Sequence, residues 1–77
     1  MFTVTRFCVE TFKRRKDGGL APHEVLEFMY EAEARAKFAS ALKGVEGASL
    51  YSVTGEPVSG LWREPKLLAR YGAERGP

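Results

Sequence analysis

The segment Phe2–Phe12 is dense in Thr, Val and Phe and contains neither Gly nor Pro. That residue mix fits a pleated surface and predicts a long first strand. Its alternation is broken: Phe2 and Val4 share one phase, Phe7 and Val9 the other, and Phe7-Cys8-Val9 is a continuous apolar run. Either a bulge that shifts the phase or partial burial of both faces accounts for such a run. Polar residues then take over. Lys13-Arg14-Arg15-Lys16 leads into Asp17-Gly18-Gly19, where two glycines permit positive φ and the aspartate reaches nearby backbone, so the strand is expected to end in a turn.

The period changes after the turn. Val25, Phe28, Met29, Ala32, Ala36 and Ala39 fall on one stripe at about 100° per residue, the pattern of an amphipathic helix packed on a core. Pro22 suits a first helical position and Gly44 a stop just past the last periodic residue, which predicts a helix over Pro22–Lys43. Glu24, Glu27, Glu31 and Glu33 crowd its first half while Arg35, Lys37 and Lys43 occupy the second, complementing the helix dipole. Glu31 with Arg35 and Glu33 with Lys37 sit at i,i+4 spacing, each pair worth about 0.2–0.5 kcal/mol in an isolated helix.

Gly44 and Gly47 separate this helix from Ala48–Val53, a second strand, and Thr54-Gly55-Glu56-Pro57-Val58-Ser59-Gly60 has the composition of a hairpin turn. The chain returns over Leu61–Tyr71, but Pro65 donates no ladder hydrogen bond, so pairing is expected over Lys66–Tyr71. These elements predict an α+β domain over residues 1–71. It is a two-layer β-α-β-β arrangement, with one amphipathic helix packed on a three-stranded mixed or antiparallel sheet, followed by a flexible tail over 72–77. Strand order stays open: the first strand joins the second through a right-handed parallel crossover with the last strand antiparallel to its hairpin neighbour, or the last strand lies against the first.

With 77 residues the chain supports one core, since a domain of this size hides only about 60% of the surface its unfolded chain exposes. Apolar residues at 44% and charged residues at 29% place it among globular rather than disordered chains. A formal charge of +2, from 12 basic and 10 acidic side chains, lacks the excess of a dedicated nucleic-acid binder. Cys8 is the only cysteine, so no intrachain disulfide or multi-cysteine metal site can form, and a cytoplasmic setting is expected. Arg6 and Glu10 interrupt the early apolar residues, leaving no stretch suited to a signal peptide or membrane span.

Candidate chemistry is sparse. His23 stands beside Glu24 in the predicted first helical turn, where neighbours diverge, so a solvated imidazole is expected rather than a metal ligand. No phosphate-binding loop, dinucleotide glycine fingerprint, His-Glu-x-x-His pair or nucleophile elbow is present. Cys8, in an apolar strand without a recognisable base, is expected to be a small core residue. No catalytic residue, metal ligand or cofactor is assigned, and a protein without enzymatic activity is expected. The run Lys13, Arg14, Arg15 and Lys16 is the one concentration of charge, suited either to phosphate contacts or to a solvated loop that discourages edge pairing.

The strand-helix-hairpin layout, with Thr54-Gly55-Glu56-Pro57 in the turn and Glu64-Pro65 ahead of Leu67-Leu68-Ala69-Arg70-Tyr71-Gly72, resembles small uncharacterised bacterial proteins of proteobacterial type and similar length. The resemblance implies a compact β-α-β-β fold in a bacterial cytoplasm and transfers no catalytic residue or ligand.

One helix covers one sheet face, whereas the first strand is apolar in both phases. The expected role is therefore a protein-interaction module whose partner is another protein or a second copy of itself, as in a homodimer. The alternative is a weak nucleic-acid binder acting through Lys13, Arg14, Arg15 and Lys16. Exposure of Phe7, Val9, Tyr51 and Val53 would favour association; exposed aromatics beside the basic run would favour nucleic acid.

Overall fold

A computed structural model describes residues 2–72. Five strands, β1 (Val4–Arg14), β2 (Leu20–Phe28), β3 (Gly47–Glu56), β4 (Leu61–Trp62) and β5 (Lys66–Gly72), accompany one helix, α1 (Glu31–Ala41), which a 3-10 turn extends over Leu42–Gly44. Every strand pair is antiparallel, and the sheet runs β2-β1-β3, with β4 and β5 sharing the far edge of β3. It curls into a half-barrel. The expected three-stranded sheet under one long helix is thus overturned: the domain is mostly sheet, and its helix is short.

The difference begins at the turn after β1. The Arg15 N–H donates to the Gly19 carbonyl at 2.6 Å and the Gly18 N–H to the Arg15 carbonyl at 3.0 Å, while Asp17 Oδ1 accepts from the Gly19 N–H at 2.9 Å. Gly18 sits at φ 93°, which its missing Cβ permits. This turn folds the following residues back onto β1, so the stretch expected to be helical from Pro22 pairs as a strand instead. Pro22 fits there because β2 is an edge strand, where a missing N–H need not break a ladder. His23 is the extra residue in a bulge, for Thr11 faces Glu24 and Phe12 faces Pro22. Within β2, Leu26 and Phe28 alternate onto one face, a period of two that the Glu-Val-Leu-Glu-Phe spelling carries alongside its helical period.

Helix α1 keeps the second half of the expected element with a different phase. Ala34 is its buried residue, and Lys37, Phe38 and Ala41 are half-buried beside it, while Ala32, Ala36 and Ala39 are exposed. The expected stripe was phased on Val25, Phe28 and Met29. These belong to β2 and the following bend, and both Val25 and Met29 are exposed. Once those residues are removed, Ala34, Phe38 and Ala41 form the i, i+4, i+7 line that meets the sheet. The Glu31–Arg35 pair forms as its spacing predicts, at 2.6 Å.

The core lies between α1 and one sheet face. Val9, Ala34 and Leu50 are fully enclosed, with Phe7, Phe28, Phe38, Leu68 and Ala69 packed around them. Burying a side chain such as Val9 or Leu50 contributes about 1.5–3 kcal/mol. β1 owes its apolar run to its central place: Val9 is buried under the helix and Cys8 on the opposite side. Because β2 and β3 are both antiparallel to β1, they run parallel to each other, and α1 carries the chain across β1 from one to the other. The parallel crossover is overturned, since β1 has antiparallel neighbours on both sides, and the last strand does not lie against the first: it pairs antiparallel with β3, its expected hairpin neighbour. Pro65 falls in the break before β5.

Gly72, expected to begin the loose tail, is the last residue of β5, and residues 73–77 of that tail lie outside the described residues. Among the described residues, no helix is long and apolar enough to cross a membrane.

Candidate functional site: the helix-free sheet face

Alternation and register divide the sheet into two sets of side chains. Val9, opposite Leu26 and Leu50, marks the face under α1. The intervening residues form the other face in rows across the strands. One row is Val25, Glu10, Ser49 and Arg70; the next is Glu27, Cys8, Tyr51 and Leu67. Beyond these, Arg6 pairs with Val53, and Val4 faces Gly55, which in turn faces Trp62.

This face mixes apolar side chains with Arg6, Glu10, Glu27 and Arg70, and it is only partly covered. Val25 is 55%, Leu67 52% and Trp62 47% exposed, and Tyr51 between them is half-buried. Glu10, Ser49, Tyr51, Pro65 and Leu67 line an open concavity of about 310 Å³. Yet Cys8 and Phe12, also on this side, are only 7% and 6% exposed without any helix over them.

Tyr51 lines the concavity, and Cys8 is its partner across the β1–β3 ladder. Burial pushes the Cys8 thiol above its ordinary value, and the negative charges of Glu27 and Glu10 push the same way, against a hydrogen bond with Tyr51 that favours the thiolate. Burial likewise raises Tyr51, reinforced by Cys8 and Glu10. Both groups therefore hold their protons at neutral pH, and Cys8 lacks the electropositive surroundings that make a thiolate nucleophile.

The basic run sits elsewhere. Lys13 and Arg14 end β1, and Arg15 and Lys16 enter the turn. Arg14 donates to the Gly18 carbonyl at 2.7 Å and approaches Glu46 at 3.9 Å, while Arg15 pairs with Asp17 at 3.4 Å. Trp62 lies beside the Val4 end of β1, roughly 30 Å along the extended strand from Lys13. The exposed aromatic nearest the run in register is Tyr71, on the helix-side face in the row of Thr11 and Ala48. His23 is exposed in the β2 bulge rather than on a helix, and no cluster of metal-ligating side chains occurs among the described residues.

Of the four residues whose exposure was to favour association, Phe7 and Val9 lie against the helix, whereas Tyr51 and Val53 are half-buried on the open face. Sequence reasoning missed Val25, Trp62 and Leu67 as members of one surface. The period-two spacing of Val25 and Glu27 was the available signal, masked by the helical reading of the same residues. Comparison with protein-family models, with curated proteins and with solved structures yields no match.

Proposed function

We propose that this protein is a noncatalytic self-associating module whose helix-free sheet face is covered by a second copy. The observation that carries this reading is the presence of Val25, Leu67 and Trp62, each about half exposed, on one sheet face that no helix covers. A two-layer domain hides one sheet face; the second needs a partner to remove it from water. A reducing, cytoplasmic setting goes with this reading, supported by Cys8 as a single buried free thiol. The protonated state of Cys8 and Tyr51 supports a packing role for both rather than a chemical one.

Sedimentation equilibrium from micromolar to millimolar protein tests the proposal. A dimer mass that rises with concentration, and falls back to monomer in Leu67→Glu, is expected. A monomer throughout refutes it. The nucleic-acid reading is supported less well, because two of its four cations are engaged within their own hairpin and the exposed indole stands at the opposite end of the sheet.

A further inference from the structure

Along the path β2-β1-β3-β5 each strand is antiparallel to the next, so the two edges of this four-strand path, β2 and β5, run in opposite directions. Among the described residues neither edge pairs with another strand on its outer side. We propose that two copies join edge to edge, β5 of each against β2 of the other, closing one eight-stranded antiparallel barrel with both helices outside. This inference rests on the reading of the helix-free face as one that a second copy covers, and it specifies how.

Three observations carry it. The first is direction. A twofold axis parallel to the strands leaves strand direction unchanged, so β5 of one copy meets β2 of its partner antiparallel, and the same junction forms twice. The second is curvature. The open concavity lined by Glu10, Ser49, Tyr51 and Leu67 lies on the side without a helix, and that side of the half-barrel becomes the barrel interior. Eight strands leave an interior that side chains fill, and closure removes both edges.

The third is charge. β2 carries Glu24 and Glu27 with no Lys or Arg, and β5 carries Lys66 and Arg70 with no acidic residue. A register that sets Arg70 opposite Glu27 of the second copy also sets Tyr71 opposite Leu26 and Ala69 opposite Phe28. In every pair both residues belong to the same sheet face, so charge meets charge on the concave side and apolar meets apolar on the helix side. Pro22, which lacks an N–H, lies outside this stretch of β2.

Within one chain Glu27 and Arg70 stand on opposite edges, three strand spacings or about 14 Å apart, so a compensating exchange between them acts across the junction. Arg70→Glu and Glu27→Arg are each expected to weaken the dimer roughly tenfold or more, because every junction occurs twice and each then opposes like charges. An equimolar mixture of the two variants is expected to dimerise with the wild-type constant, since both junctions of the mixed dimer are matched. In wild-type protein, mixing differently isotope-labelled copies is expected to give an intermolecular NOE between Tyr71 and Leu26, a measurement that needs no variant to fold. A dimer that lacks this NOE and whose variants show no mutual rescue, but which Leu67→Glu dissociates, overturns the barrel and leaves face-to-face association standing. A wild-type chain that stays monomeric at millimolar concentration overturns both.

Discussion

Trp62 lies directly on Gly55, its partner across the β3–β4 ladder: a methyl group at Gly55 would stand 2.6 Å from Cε3 and 2.7 Å from Cδ2 of the indole. The backbone of Gly55 is the floor on which the exposed aromatic rests, and it accounts for a glycine inside a strand, where the residue type is otherwise unfavourable. Gly55→Ala is expected to lower stability by about 1–3 kcal/mol through overpacking, read from urea unfolding. Part of that cost should vanish in a Trp62→Ala background. The remainder should persist, because the same methyl also meets the Leu61 carbonyl.

Helix phase is open to a direct contrast. Met29 is exposed in the bend before α1, so Met29→Asp is expected to change stability by no more than about 0.5 kcal/mol. Ala34 is completely enclosed between Val9 and Leu50, so Ala34→Asp carries an unpaired carboxylate into the core and is expected to unfold the domain. Thermal melts of the two variants separate this phase from one built on Met29.

Alkaline pH should weaken the fold through Cys8 and Tyr51. Burial raises the native thiol above the ordinary 9.0 that an unfolded chain shows, so above that pH the unfolded state sheds a proton the native state keeps. This contribution is complete below pH 9.0 and declines as pH climbs toward the raised native value, with Tyr51 adding a second decline above its ordinary 10.0. The melting temperature is expected to fall from pH 9 upward in wild type and less steeply in Cys8→Val. Equal slopes would remove Cys8 from the account.

Neutralising Lys13, Arg14, Arg15 and Lys16 to Gln tests what the basic run does. Loss of the Arg14 bond to Gly18 and of the exposed Arg15–Asp17 pair is expected to cost about 1 kcal/mol or less. Wild-type protein is expected to leave mixed single-stranded and duplex oligonucleotides unshifted at low salt. Salt-sensitive binding that the fourfold variant abolishes would instead make the hairpin a phosphate site.

The strands and their breaks were legible where one period stood alone. Lys66–Tyr71 after Pro65, the turn at Asp17-Gly18-Gly19 and the strand through Ala48–Val53 each carry a single local signal, and the structure places strand or turn at each. Pro22–Phe28 fitted two periods at once, and the decision fell to a long-range contact: the tight turn that delivers β2 to the side of β1. Local spelling does not record that contact. The helix-free face was legible only as an inference from Phe7-Cys8-Val9, which needs cover on both sides. Its membership was hidden because Val25 and Leu67 join it only through register, and Trp62 only through its place opposite Gly55.

β1 occupies the middle of the sheet, yet it is the first strand in the chain, pairing with β2 through a short turn and with β3 through residues as remote as Gly55. Among the described strands, its covalent tie to the others is the hairpin over Arg15–Gly19, exposed except at Gly19. A nick in that hairpin would leave a peptide that fits the gap between β2 and β3, and a larger fragment lacking the strand that bridges its sheet. The two pieces should reassemble on mixing, which makes this chain a natural candidate for a split reporter whose signal depends on the return of one strand.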